Sequence, residues 1–235
     1  MTLSKRSFWL IGIALVLIFV AVAVNDHFAK QARADAHREA LARGSTDPTV
    51  DVDIAAMDCP TPFDSESALD QPLQDSARDM PKAFALKVGT AKPVATFAVE
   101  GRVLGRKNYS SDRESRFAPT DIAFGWSHMR DADILAKLHI TQSSRWYHYS
   151  WVGDPPIPLR EIVQSSANMH MIPANARIED ALSDIERDDI VRVDGYLVKV
   201  ADNEGWVWQS SMTRQDSGAG ACEVVYVCRL RVTSN

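Results

Sequence analysis

The run FWLIGIALVLIFVAVAV, Phe8 to Val24, carries no charged or strongly polar side chain and follows Lys5 and Arg6. In lipid such a segment must satisfy its backbone polar groups internally, which leaves it one structure, a helix. Its 17 residues give about 25 Å of helix, enough to cross a thin hydrocarbon core. A removable signal peptide is the competing reading, and Ala21-Val22-Ala23 would supply the small-x-small cleavage site. The apolar run continues into Val24 with no polar region before a cut, so a retained anchor is favoured.

Charge flanking the span sends two messages. Lys30, Arg33, Arg38 and Arg43 follow it closely enough to favour a cytoplasmic C-terminal side. A short N-terminal tail with Lys5 and Arg6 instead stays inside, as in exported signal-anchor proteins. The reading adopted is a single-pass protein of the inner (cytoplasmic) membrane, anchored through 8–24, with its folded domain in the periplasm.

Composition then divides the chain. Residues 1–7 are a tail and 8–24 the transmembrane helix. Residues 25–43, rich in Ala and Arg and free of Gly and Pro, should continue as a juxtamembrane helix that Gly44-Ser45 ends. From 44 to 81 there are nine acidic residues and one basic, 1 − 9 = −8, broken by five prolines. That composition buries little apolar surface and reads as an acidic, mostly disordered linker. Residues 82–235 hold 19 Lys plus Arg and 19 Asp plus Glu. A formally neutral domain lacks the basic stripe of a phosphate-backbone binder, so nucleic acid is disfavoured as a partner.

The 82–235 domain reads as α+β and β-rich. In ATFAVEGRVLG, Phe97, Val99 and Val103 alternate with Thr96, Glu100 and Arg102. RWYHYSW (145–151) reads as a strand with two contacting faces. DIVRVDGYLVKV follows, with Val191, Val193 and Leu197 on one face and Gly195 marking a bulge or bend. GWVWQSSM is expected to pair with it through a hairpin near Asp202 to Gly205. In ACEVVYVCRLRV, alternation places Cys222, Val224, Tyr226, Cys228 and Leu230 together. Two or three short helices are expected: one in DADILAKLHI capped by Asp131, PLREIVQSS as the third, and one in NARIEDALSDIERDD. The last has Asn175 as N-cap and an apolar stripe of Ile178, Ala181, Leu182 and Ile185. Strands and helices do not alternate regularly, so the expected architecture is a curled, barrel-like mixed sheet.

Cys59, Cys222 and Cys228 form no metal-binding spacing. Cys222 and Cys228 are about 20 Å apart along a strand, too far for a mutual disulfide. Buried core thiols are the favoured reading, with a bridge from Cys59 the alternative for an exported domain. No cofactor and no metal site are expected.

His170, in NMHMIPA, shares a face with Asn168, while Met169 and Met171 take the other. It is the first candidate for chemistry, with Asp121 and His148 as partners and His128 and His139 as further histidines able to converge. A structural histidine is the default. A Ser210–His170–Asp216 triad can be drawn, but no nucleophile elbow supports it. Trp126, Trp146, Trp151, Trp206 and Trp208 chiefly build core. Flanked by Arg145 and Arg214, they would otherwise form a platform for a small ligand or peptide.

The blocks APTDIAFGW, ITQSSRWYHYSW, SSANMHMIPAN, DIVRVDGYLVKV and GWVWQSSMTRQDSGAGACEVVYV resemble a family of bacterial membrane-anchored proteins. These have a single β-rich C-terminal domain and no established activity. The similarity covers residues 84 to 228. It implies a bacterial, membrane-associated domain and no reaction. The expectation carried forward is a non-enzymatic binding or assembly module of the bacterial envelope, using a protein partner or small ligand. The alternative is a hydrolase or metal-dependent enzyme built on His170.

Overall fold

A computed structural model describes residues 52–56, 59, 68–76, 80–213 and 222–233. The tail, the apolar span 8–24 and the helix expected over 25–43 lie outside these residues, as does Arg214. Among the described residues no helix is long and apolar enough to cross a membrane.

The described chain is β-rich. Nine strands join one mixed sheet and two more form a separate hairpin. The long strand β4 (Gly89–Asn108) is the spine. One edge of it pairs antiparallel with β9 (Ile190–Asp202). The other meets, along its length, β3 (Phe84–Leu86), β2 (Leu73–Asp75) and β5 (Thr120–Gly125). Strand β8 (Ser166–Pro173) pairs antiparallel with β5. Strand β11 (Glu223–Thr233) pairs parallel with β8 and antiparallel with β9. Pairing therefore returns on itself through β4, β5, β8, β11 and β9. The expected hairpin after β9 is present, with β10 (Val207–Gln209) antiparallel to it.

Alternation along these strands separates two faces. One face supplies Phe97, Val99, Ile122, Phe124, Met169, Met171, Val193, Leu197, Val225 and Val227 to the main core. Helix α3 (Ala176–Asp184) closes this core with Ile178, Ala181 and Leu182, as its periodicity indicates. Its Asn175 side chain accepts a hydrogen bond from the Ile178 N–H at 2.9 Å, the expected N-cap. The second face carries two smaller apolar clusters. Val198, Val200, Val224 and Cys228 lie in one, and Leu104, Ala123, Met129 and Ile162 in the other.

Several expectations are corrected. The segment 44–81 contributes β1 (Val52–Ala55), antiparallel to β11, as well as β2. Both are short enough that the surrounding acidic residues mask their apolar content, yet Val52 and Ile54 enter the main core. The alternation assigned to β11 breaks at Cys228, where the register shifts between Val227 and Arg229. Leu230 consequently joins the core of Val225 and Val227, opposite Val224 and Cys228. The irregularity expected at Gly195 thus sits across the ladder from it. Cys59 and Cys228 are joined as a disulfide with Cα atoms 5.3 Å apart, so they are not reduced core thiols.

In DADILAKLHI only α1 (Ala132–Leu135) is helical, and the Asp131 side chain makes no cap bond. His139 and Ile140 begin β6 (His139–Ser143), whose ladder with β7 (Trp146–Ser150) takes those backbone groups. Strand β7 has one packed face rather than two: Tyr147 and Tyr149 rest against the cluster around Leu104, while His148 and Ser150 are exposed. The helix expected in PLREIVQSS is α2 (Leu159–Gln164).

Candidate functional site

Two of the candidate residues meet on the second face. Asp121 of β5 and His170 of β8 are cross-strand neighbours in register, and His170 Nδ1 lies 2.9 Å from Asp121 Oδ1. Neither strand alone announces this, because register is a property of the pair. Asp121 is wholly buried and His170 is 4% exposed. The imidazole also packs against the Trp208 ring, centroids 4.7 Å apart.

Asp121 is the hub of a larger network. Arg145 Nη1 donates to Oδ1 at 2.7 Å, and Asn168 Nδ2 donates to Oδ2 at 3.3 Å. Asn168 Nδ2 also donates to the Arg145 carbonyl at 3.0 Å, while its own Oδ1 accepts from Gln142 Nε2 at 2.8 Å. Arg145 makes a two-bond fork with Asp112, Nε to Oδ2 at 2.8 Å and Nη2 to Oδ1 at 2.6 Å. Nη1 further donates to the Ala118 carbonyl at 3.0 Å. The Arg145 N–H donates to Tyr109 Oη at 3.0 Å, and the guanidinium carbon stands 3.9 Å from that ring's centre.

The electrostatics follow from this contact set. Burial by itself would lower the Arg145 pKa, but its bond to Asp112 and the charges of Asp121 and Asp112 outweigh that and raise it. The hydrogen bond from Arg145 holds the Asp112 carboxyl below its ordinary value against a partial desolvation. Burial pushes the Tyr109 hydroxyl up.

The remaining histidines stay apart from this pair. His148 is exposed on β7 and lies 3.5 Å from Ser143 Oγ. His128 is exposed in the turn after β5, with Nδ1 2.9 Å from Glu161 Oε2. It borders a cleft of about 300 Å³ with Trp126, Asp70 and Glu161. His139 faces solvent at the start of β6. Ser210 is buried, its hydroxyl donating to the Ser211 carbonyl at 2.8 Å and accepting from the Val224 N–H at 3.1 Å. Those bonds commit the oxygen to the backbone, and Asp216 lies outside the described residues. Among the described residues no three His, Cys, Asp or Glu side chains are grouped to hold a metal ion.

The tryptophans fall into separate places. Trp126 is 2% exposed in the main core. Trp206 and Trp208, centroids 5.9 Å apart, pack half-buried beside Val198 and Val200. Trp151 continues a row with Tyr149 and Tyr147 over the Leu104 cluster, and Trp146 is half-buried where β7 begins. Sequence reasoning left out Asp112, Tyr109 and Gln142. Asp112 and Tyr109 sit in a loop whose polar composition suggests only solvent, and nothing local links them to Arg145. Comparison with protein families, curated proteins and solved structures finds no match to this chain.

Proposed function

We propose that the chain is a membrane-anchored, non-enzymatic binding or assembly module of the bacterial envelope. The observation that carries this reading is the saturation of Asp121, whose carboxylate accepts from His170, Arg145 and Asn168 beneath a covering hairpin. With the hairpin seated, a carboxylate committed to three internal donors ties strands and loops together and leaves no open side. A reacting base needs an open side towards substrate. The Cys59–Cys228 bond supports the exported orientation, since disulfides persist in oxidising compartments such as the periplasm.

The finer architecture belongs to the same proposal. Five strands paired in a closed cycle, with the β8–β11 pair parallel and α3 between β8 and β9, have the connectivity of the OB-type small barrel. That architecture presents its second and third strands, here β5 and β8, to ligands. In this chain the face is covered by β6 and β7. The analogy is one of fold and carries no particular ligand.

The alternative is a hydrolase or metal-dependent enzyme with His170 in the site. What favours it is the Asp121–His170 contact, since a carboxylate on Nδ1 orients an imidazole for proton transfer through its other nitrogen. The two readings separate in one experiment on the full chain in its membrane. Photo-crosslinking residues are placed at exposed positions of the domain, His148 among them, and His170→Asn is examined in parallel. A binding module yields a discrete crosslinked partner that His170→Asn retains. The reading is overturned if no position captures a partner while His170→Asn abolishes the cellular phenotype at unchanged thermal stability.

A further inference from the structure

The surroundings of Arg145 have the composition of a guanidinium receptor. Asp112 offers both oxygens to Nε and Nη2, Asp121 and the Ala118 carbonyl take Nη1, and the Tyr109 ring covers one flat face. Fork, carbonyl and ring face are the features by which proteins select a planar guanidinium over a compact ammonium. All four groups lie on the segment 109–121, from the loop after β4 into β5. The arginine that fills them comes from elsewhere, on the turn joining β6 to β7.

That turn is an improbable way to place an arginine. Ser143 pairs with Trp146, so Ser144 and Arg145 alone span it. Both adopt positive φ, 51° and 68°, a conformation suited to Gly or Asn. The hairpin that carries them is a two-stranded sheet separate from the main one. It rests on the domain through side chains, among them Ile140, Gln142 and Tyr147. The strained turn stands where its side chain fills a ready-made receptor.

We propose that Tyr109, Asp112, Ala118 and Asp121 form a guanidinium-binding site that Arg145 occupies in cis. When the hairpin lifts, the site takes the guanidinium of an arginine from a partner protein. This deepens the binding-module reading and rests on it: it names the chemistry that the partner presents.

Arg145→Gly in the full chain tests it, because glycine relaxes the positive-φ turn while removing the guanidinium. The probe is methylguanidinium at millimolar concentration, with methylammonium as the control. Arg145→Gly is expected to bind methylguanidinium saturably, with a rising melting temperature that the wild type does not show. Methylammonium should bind at least tenfold more weakly, and so should methylguanidinium to the double variant with Asp112→Asn. Equal responses of wild type and Arg145→Gly overturn the proposal, as does equal binding of the two cations. Should Arg145→Gly not fold unaided, methylguanidinium in the refolding buffer is expected to restore folded protein, and failure to do so also overturns it. Partner capture by the wild-type chain is measured without added guanidinium. A chain that captures a partner while Arg145→Gly ignores the probe therefore loses this inference alone.

Discussion

Asp121 shows how a single side chain can decide the character of a site. Its carboxylate is fully buried and satisfied by a histidine, an arginine and an amide. Removing one member of a buried charged pair costs about 3–5 kcal/mol, because the remaining charge keeps its desolvation penalty. Asp121→Asn is therefore expected to lower the unfolding free energy by about that much, read from the urea midpoint at constant slope. Asp112 gives the sign of the pH response. Its folded pKa lies below the ordinary 3.8 because of Arg145. Its contribution is thus complete above the unfolded value and is lost as pH falls through the lower folded one. The stability gap between wild type and Arg145→Gly should narrow as pH drops below about 4. His128 runs the other way. Its hydrogen bond to Glu161, helped by that carboxylate's charge, raises its pKa above 6.5. The contribution is present below the unfolded value and fades as pH rises through the folded one. An NMR titration should find the raised value in wild type and a return towards 6.5 in Glu161→Gln. The sequence singled out His170 and Asp121 and placed Asn168 on the histidine's face. It could not reveal that Arg145 binds two carboxylates, Asp112 in the loop after β4 and Asp121 on β5, since that depends on how the hairpin folds back.

Elements whose signals are local were legible: α3 by its stripe and cap, the β9–β10 hairpin by its turn residues, and β9 by its alternation. The β6–β7 turn was hidden because Ser144-Arg145 offers neither Gly nor Asn. The β11 bulge was hidden because nothing in VVYVCRLRV marks one residue as extra. Gly195 records that bulge from the opposite strand. A Cβ there would stand 1.9 Å from the Tyr226 carbonyl oxygen, a backbone atom that cannot turn aside. Gly195→Ala should thus open the β9–β11 ladder and cost about 3 kcal/mol or more, at or beyond the usual range for overpacking. Gly205 makes the contrast. Its φ is 88° and nothing lies within 4 Å of where a methyl group would stand, so alanine meets backbone strain alone. Gly205→Ala should cost about 1–2 kcal/mol. Thermal or urea unfolding of both variants separates the two cases, and a larger loss at Gly205 would refute the close-approach account.

On the scale of the whole molecule, the chain enters the sheet through β1 and is then locked to β11 by Cys59–Cys228, across a sequence separation of 169 residues. Closing a loop of that length removes the most entropy from the unfolded chain, about 5 kcal/mol in the chain-entropy treatment, with measured losses for native bridges of about 2–5 kcal/mol. The bond also bears on the proposed export of the domain. An oxidising compartment keeps Cys59 and Cys228 joined, whereas cytosolic reductants would leave them open and the domain dependent on its other contacts. Trapping the thiols of whole cells in acid, alkylating them under denaturing conditions, then reducing and adding a second label distinguishes these states directly. For an exported domain, the first label should reach one cysteine, Cys222, and the second should reach two, in agreement with a reporter fused after Asn235 that is active only outside the cytoplasm. Cys59→Ser should then leave Cys228 open to the first label and lower the melting temperature of the full chain. If all three cysteines take the first label in wild-type cells, the bridge is absent in the native compartment. The exported reading then falls with it, while the saturated Asp121 network and the guanidinium receptor, which involve no thiol, keep their own tests.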